Sequence, residues 1–166
     1  MNSILIVCMG NICRSPLAEG IMRAAFAAAG LRIEVDSAGT LGYHAGEPAD
    51  PRARSVAKQR GTPIDDLRAR QVCIEDFHRF DLILAADRQN LAELTRLRPD
   101  DARAELALLL DWAGTESAGE VPDPYYGDRR DFDNVFDLLT GASEGLVAKL
   151  RLSAGQSTRT DSREQA

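Results

Sequence analysis

Short apolar runs alternate along this chain with stretches whose apolar residues recur every three or four positions, and that alternation limits the folds open to it. Residues 3–7 (SILIV) are a β-branched run of the kind buried in a parallel sheet. After a loop containing Gly10, Ser15-Pro16 reads as an N-cap with proline in the first turn. Leu17, Ile21, Ala24, Ala25 and Ala28 follow at helical spacing, and Gly30 supplies a stop. The pattern then repeats. Residues 32–36 (RIEVD) resemble a strand, and Asp50-Pro51 opens a helix that carries Ala53, Val56 and Ala57 to Gly61. Residues 81–86 (DLILAA) read as a further buried strand, after which Asp87 caps a helix bearing Leu91, Leu94 and Leu97. Residues 104–110 (AELALLL) fit strand or helix by period, with the alternation favouring a strand. A last helix sets Phe132, Val135, Phe136, Leu139, Leu146, Val147 and Leu150 on one face, weakened by Gly141 and Gly145.

Strand and helix in alternation predict an α/β fold, a single-domain doubly wound parallel sheet with helices on both faces. Ligands of such sheets bind beyond the carboxyl ends of the strands, which directs attention to the loop 8–15. The 166 residues suit one domain, expected over 1–152; from 153 on no large apolar residue follows Leu152, and a disordered tail is expected. A formal charge of −6 argues against a nucleic-acid partner, and it requires any anionic ligand to be held by a local positive site. The apolar N-terminal run is too short for a signal peptide or membrane span, so a cytoplasmic location is expected. An odd number of cysteines, 3, fits reactive or buried thiols in a reducing compartment better than structural disulfides.

The loop carries the chemistry. Cys8-Met9-Gly10-Asn11-Ile12-Cys13-Arg14-Ser15-Pro16 sets Cys-x5-Arg-Ser between a strand and a helix. Five intervening residues can wrap a turn whose backbone N–H groups converge on one point, and Gly10 permits close approach. The helix start adds unpaired N–H groups and a positive dipole end. Arg14 brings a planar fork that matches two phosphate oxygens. A cysteine at the base of such a cradle is placed where thiolates are favoured, and Ser15 can donate its hydroxyl to the sulfur. A cysteine at a strand end is otherwise a small buried hydrophobe, but the glycine, the Ser-Pro start and the strand–loop–helix context favour the anion cradle. Farther on, Asp123 stands in a rigid segment, VPDPYYG; on its residues alone it is equally a general acid or the start of a turn.

CMGNICRSP resembles the signature loop of the low-molecular-weight protein-tyrosine phosphatases. DSAGT at 36–40, DPRA at 50–53, ARQV at 69–72, EDF at 75–77 and DPYYG at 123–127 fit the same family, so the resemblance spans roughly residues 3–150. It implies a four-stranded parallel sheet and a phosphomonoesterase that needs neither metal nor cofactor. It implies Cys8 as nucleophile, Arg14 as phosphate clamp and Asp123 as general acid, with Met9, Gly10, Asn11, Ile12, Cys13 and Ser15 forming the phosphate loop. Asn11 and Ser37 would brace that loop's backbone. Tyr125 and Tyr126 would wall a slot for a flat aromatic ring; Tyr43 is either the opposite wall or a packing residue. Cys13 either traps an oxidised Cys8 as a disulfide or fills the helix entrance. The substrate implied is a phosphotyrosine protein, for bacterial members including a tyrosine kinase, met by a monomer. Cys73 reads as structural, and His44 and His78 lack partners at metal-ligand spacing.

Three other functions share these residues. A phosphoarginine phosphatase uses the same fold, but its bacterial examples typically carry threonine where Ile12 stands, and isoleucine better suits an aromatic ring. An arsenate reductase passes electrons through additional cysteines, of which only Cys73 lies outside the loop. A non-catalytic phosphopeptide-binding module would not need nucleophile, clamp and acid together.

Overall fold

A computed structural model of the chain describes residues 1–115 and 119–161, the last eight of these by backbone only. Elements follow in the order β1 (Ser3–Cys8), α1 (Arg14–Ala28), β2 (Glu34–Gly39), α2 (Pro51–Gln59), α3 (Asp76–Arg79), β3 (Leu82–Ala85), α4 (Arg88–Leu97), β4 (Glu105–Leu108), α5 (Leu109–Ala113) and α6 (Arg129–Asp161). The sheet has 4 strands in the order β2-β1-β3-β4, with every pairing parallel. Side-chain alternation divides the core. Ile4, Ile6 and Cys8 join the apolar cluster under α1, α2, α5 and α6, while Leu5 and Val7 join the one under α3 and α4. The doubly wound parallel sheet expected from the alternation is found, with the four strands that the resemblance implies.

Connections from β1 run outward to β2, whereas the chain after β2 crosses back to β3 on the other side. The ends of β1 and β3 therefore flank the point where winding reverses, where open α/β sheets hold their ligands. The loop 9–13 follows β1 there, and Asp87 follows β3.

Several expected elements shift. The helix α1 begins at Arg14, with Cys13 as N-cap and no side-chain cap, because the Ser15 hydroxyl bonds the site instead of capping. Its buried face runs through Leu17, Ile21, Met22 and Phe26, while Ala24 and Ala28 are exposed. The strand expected at 32–36 lies at 34–39, where Val35, Ser37, Ala38 and Gly39 are buried. The apolar run 104–110 is divided: it pairs with β3 through Leu108 and then turns into the short helix α5, which ends on Gly114 in the left-handed region. The caps hold at Asp50, which accepts from Arg52 N, and at Asp87, which accepts from Asn90 N. The backbone of α6 continues as helix to Asp161, into the tail expected from 153; residues 162–166 of that tail lie outside the described residues. Among the described residues no helix is long and apolar enough to cross a membrane.

Candidate active site

Cys8 ends β1 and is 3 % exposed, on the inward phase set by Ile4 and Ile6. The chain then turns sharply. Asn11 takes φ +55, a left-handed conformation that asparagine tolerates better than most residues. Gly39 at the end of β2 lies so close that a Cβ there would sit 2.7 Å from Met9 O and 3.1 Å from Asn11 N. Among the described residues, the backbone N–H groups of residues 10–13 meet no protein acceptor. Together with the first turn of α1 they form a concentration of donors beside the sulfur, suited to an oxyanion.

Beneath this loop lies a buried polar chain. Asn11 Nδ2 donates to Ser15 Oγ (2.8 Å) and to Ser37 Oγ (2.9 Å), and Asn11 Oδ1 accepts from Arg70 N (2.9 Å). Ser15 Oγ lies 3.0 Å from Cys8 Sγ. Ser37 Oγ donates to Glu19 Oε2 at 2.6 Å. The bracing expected of Asn11 and Ser37 thus corresponds to direct hydrogen bonds, whereas Glu19 and Arg70 were not foreseen. Glu19 did leave a signal: with Ser15, Met22 and Phe26 it keeps helical spacing on the buried stripe of α1.

Arg14 is buried, and its guanidinium donates to Asp87 Oδ2 (2.6 Å) and Val121 O (3.2 Å). Its other terminal nitrogen lies 3.5 Å from Asp123 Oδ2. Burial works against the charge, but Cys8 and the Asp87 bond outweigh it and hold the Arg14 proton more tightly than usual. Asp87, legible only as a helix cap, divides its oxygens between Asn90 N and Arg14. Asp123 is carried by a segment anchored by Val121 N to Ala86 O (2.8 Å) and by buried Pro124, with Oδ1 accepting from Tyr125 N.

These pieces surround a cleft of about 260 Å³. Cys8, Met9, Gly10, Ile12, Cys13 and Arg14 line it together with Tyr43, Asp123, Tyr125 and Tyr126. Tyr43 and Tyr126 are largely exposed, at 86 % and 96 %, so both stand at the mouth rather than in the core. Leu41 and His44 also line the cleft, and neither is apparent from sequence; His44 Nδ1 pairs with Glu47 at 2.8 Å. Cys13 is a buried free thiol, whose proton burial, then Asp50, holds more tightly than usual. Cys73, read as structural, is exposed. Among the described residues no cluster of three or more His, Cys, Asp or Glu gathers as a metal site.

The family model for low molecular weight phosphotyrosine protein phosphatase matches residues 3–156. The chain belongs to that family. Among curated family members, a low molecular weight protein-tyrosine-phosphatase of Streptomyces coelicolor is 44 % identical over 153 residues, covering 89 % of this chain and 93 % of its own. Among solved members, a protein tyrosine phosphatase of Entamoeba histolytica superposes with a TM-score of 0.86 at 40 % identity, covering 93 % of this chain and 99 % of its own. A Drosophila arginine phosphatase shares the fold at a TM-score of 0.82 but only 26 % identity, over 90 % of this chain and 98 % of its own.

Proposed function

We propose that this phosphatase-family chain hydrolyses phosphotyrosine, and small aryl phosphates, through a phosphocysteine intermediate. The observation that carries the reading is the single cleft in which a buried sulfur, unpaired loop amides, the Arg14 guanidinium and the Asp123 carboxyl face one point. The phosphate dianion is held by the amides of residues 10–13 and by Arg14, whose orientation Asp87 and Val121 O fix. The Cys8 sulfur attacks phosphorus in line; an S–P bond forms and the P–O bond to the aryl group breaks. Asp123, as the acid, gives its proton to the departing phenolate oxygen. In the second step the Asp123 carboxylate takes a proton from water as its oxygen bonds phosphorus. The S–P bond breaks, phosphate leaves, and Ser15 donates to the sulfur as charge returns to it.

Tyrosine is favoured over shorter phosphorylated side chains because Tyr43 and Tyr126 rise above a deep floor, so a phosphoserine would not span the wall. Ile12 gives the floor an apolar surface for the ring. The substrate class extends to phosphotyrosine proteins, a bacterial tyrosine kinase among them, met by a monomer in the cytoplasm; an odd number of cysteines with both loop thiols free supports a reducing compartment. Cys13 beside Cys8 suits a protective disulfide that stops irreversible oxidation.

Steady-state assays on peptides matched except for phosphotyrosine or phosphoarginine test the reading. Higher kcat/KM on phosphotyrosine, absent in Cys8→Ser, is expected. Faster release from phosphoarginine would turn the assignment to the activity named for the Drosophila neighbour.

A further inference from the structure

The proposed steps use Cys8, Arg14 and Asp123 and leave the buried Glu19, which is hydrogen-bonded into the polar chain beneath the loop, without a task. Glu19 is 2 % exposed on the sheet-facing side of α1. Burial pushes its carboxyl up, while the Ser37 hydrogen bond and the Arg23 charge pull it back; Asp36 on β2 and Asp66 after α2 are the other charges that act on it, both upward. Arg23 meets its Oε1 at 2.5 Å from a half-exposed position on the same helix. Burying a carboxylate is costly unless paired and hydrogen-bonded, and this one is both.

The hydrogens beneath the loop can be followed one at a time. Arg70 N–H can only donate, and its bond to Asn11 Oδ1 turns the amide so that Nδ2 faces Ser15 and Ser37. Each of those hydroxyls has then accepted a hydrogen and has one to give. Ser37 gives its own to Glu19 Oε2 at 2.6 Å. Ser15 has two outlets, Cys8 Sγ at 3.0 Å and Ala38 O at 3.4 Å, and the sulfur is nearer. An obligate donor at one end and an acceptor-only carboxylate at the other permit a single sense of bonding through the chain.

We infer that Glu19 is a positioning residue that fixes the direction of hydrogen bonding through Ser37 and Asn11, so that the Ser15 hydroxyl donates to the Cys8 sulfur. The inference rests on the reading of Cys8 as nucleophile. An amide in place of the carboxyl reverses the signal. Arg23, a pure donor, claims the amide oxygen and leaves its NH2 facing Ser37. Ser37 would then receive hydrogens from two sides with no outlet for its own. With Asn11 Oδ1 still held by Arg70 N, the strain is relieved if the Asn11–Ser37 bond breaks and Asn11 Nδ2 draws away, which loosens its hold on Ser15 and lets the Ser15 hydrogen turn from the sulfur to Ala38 O.

The test is the pH dependence of Cys8 alkylation by iodoacetamide on the full chain, with the Cys8 peptide quantified by mass spectrometry. In Glu19→Gln the half-maximal rate is expected to move to higher pH by about half a unit or more, because a donor to the anionic sulfur is lost. The double variant Glu19→Gln/Ser37→Ala should shift no further than Ser37→Ala alone, since Glu19 acts through Ser37. A lowered melting temperature with an unmoved alkylation profile, or additive shifts, would overturn the inference. Should Glu19→Gln not fold, Arg23→Ala decides: loss of the countercharge favours the neutral carboxyl and moves the profile the same way, and an unmoved profile overturns the idea. Alkylation needs no substrate, so an inactive wild type would sink the phosphatase reading and leave this experiment readable.

Discussion

Arg14 shows how a single side chain can be constrained from behind and left free in front. One terminal nitrogen is committed to Asp87 and Val121 O, and the other reaches toward Asp123 at the cleft. Arg14→Lys replaces a fixed fork by a mobile point charge, and kcat on p-nitrophenyl phosphate is expected to fall on the order of 10²–10³. Asp123→Ala is expected to lose about 10²–10⁴ in kcat, more for phenyl phosphate than for p-nitrophenyl phosphate, because the poorer leaving group needs the proton more. An equal loss on both substrates would mean that Asp123 is not the acid. The sequence pointed to the loop and to Asp123 because Cys-x5-Arg-Ser and DPYYG are contiguous strings. Asp87 and His44 escaped because their partners, Arg14 and the Gly10 backbone, become neighbours only when β1, β3 and the 41–47 loop converge.

At the scale of elements, period and caps pointed to the four strands and to α1, α2, α4 and α6 but not to the short α3 and α5, and packing settled boundaries. Asp50 and Asp87 mark helix starts because a cap is a local event, and both caps form. The division of 104–110 was hidden because β4 ends where its pairing with β3 ends, a non-local fact. Gly145 is the clearest case. It reads as a weak point in α6, yet a Cβ there would lie 2.2 Å from Ala113 O, so the glycine lets α6 approach α5. Gly145→Val is therefore expected to destabilise the fold by about 1–3 kcal/mol despite its better helix-forming side chain, as read by urea unfolding. Gly141 has nothing within 4 Å of an added Cβ, and Gly141→Ala is expected to be neutral or stabilising in the same assay.

Across the whole molecule, the winding reversal between β1 and β3 assembles in one place groups separated by up to 115 residues (8 to 123). The parallel sheet was legible from alternation, while the order β2-β1-β3-β4 was not, since nothing local says on which side a crossover lands. Acid sensitivity is also a property of the whole fold. Burial works against the Asp76 charge, but Arg70 and Cys73 N–H outweigh it and hold the carboxyl below its usual range. Such a group stabilises the fold above its unfolded value, about 3.9, and the contribution is lost as pH falls through the folded one. Unfolding free energy should therefore decline as pH drops below about 4, and Asp76→Asn should flatten that decline in urea titrations at a series of pH values. The proposed reaction requires a phosphoryl group to pass through the Cys8 sulfur. Rapid acid quench during p-nitrophenyl phosphate turnover, followed by peptide mass spectrometry, should find a phosphoryl group on the peptide bearing Cys8, enriched in Asp123→Ala. Turnover that persists in Cys8→Ser, with no phosphoryl group on that peptide in the wild type, would contradict it.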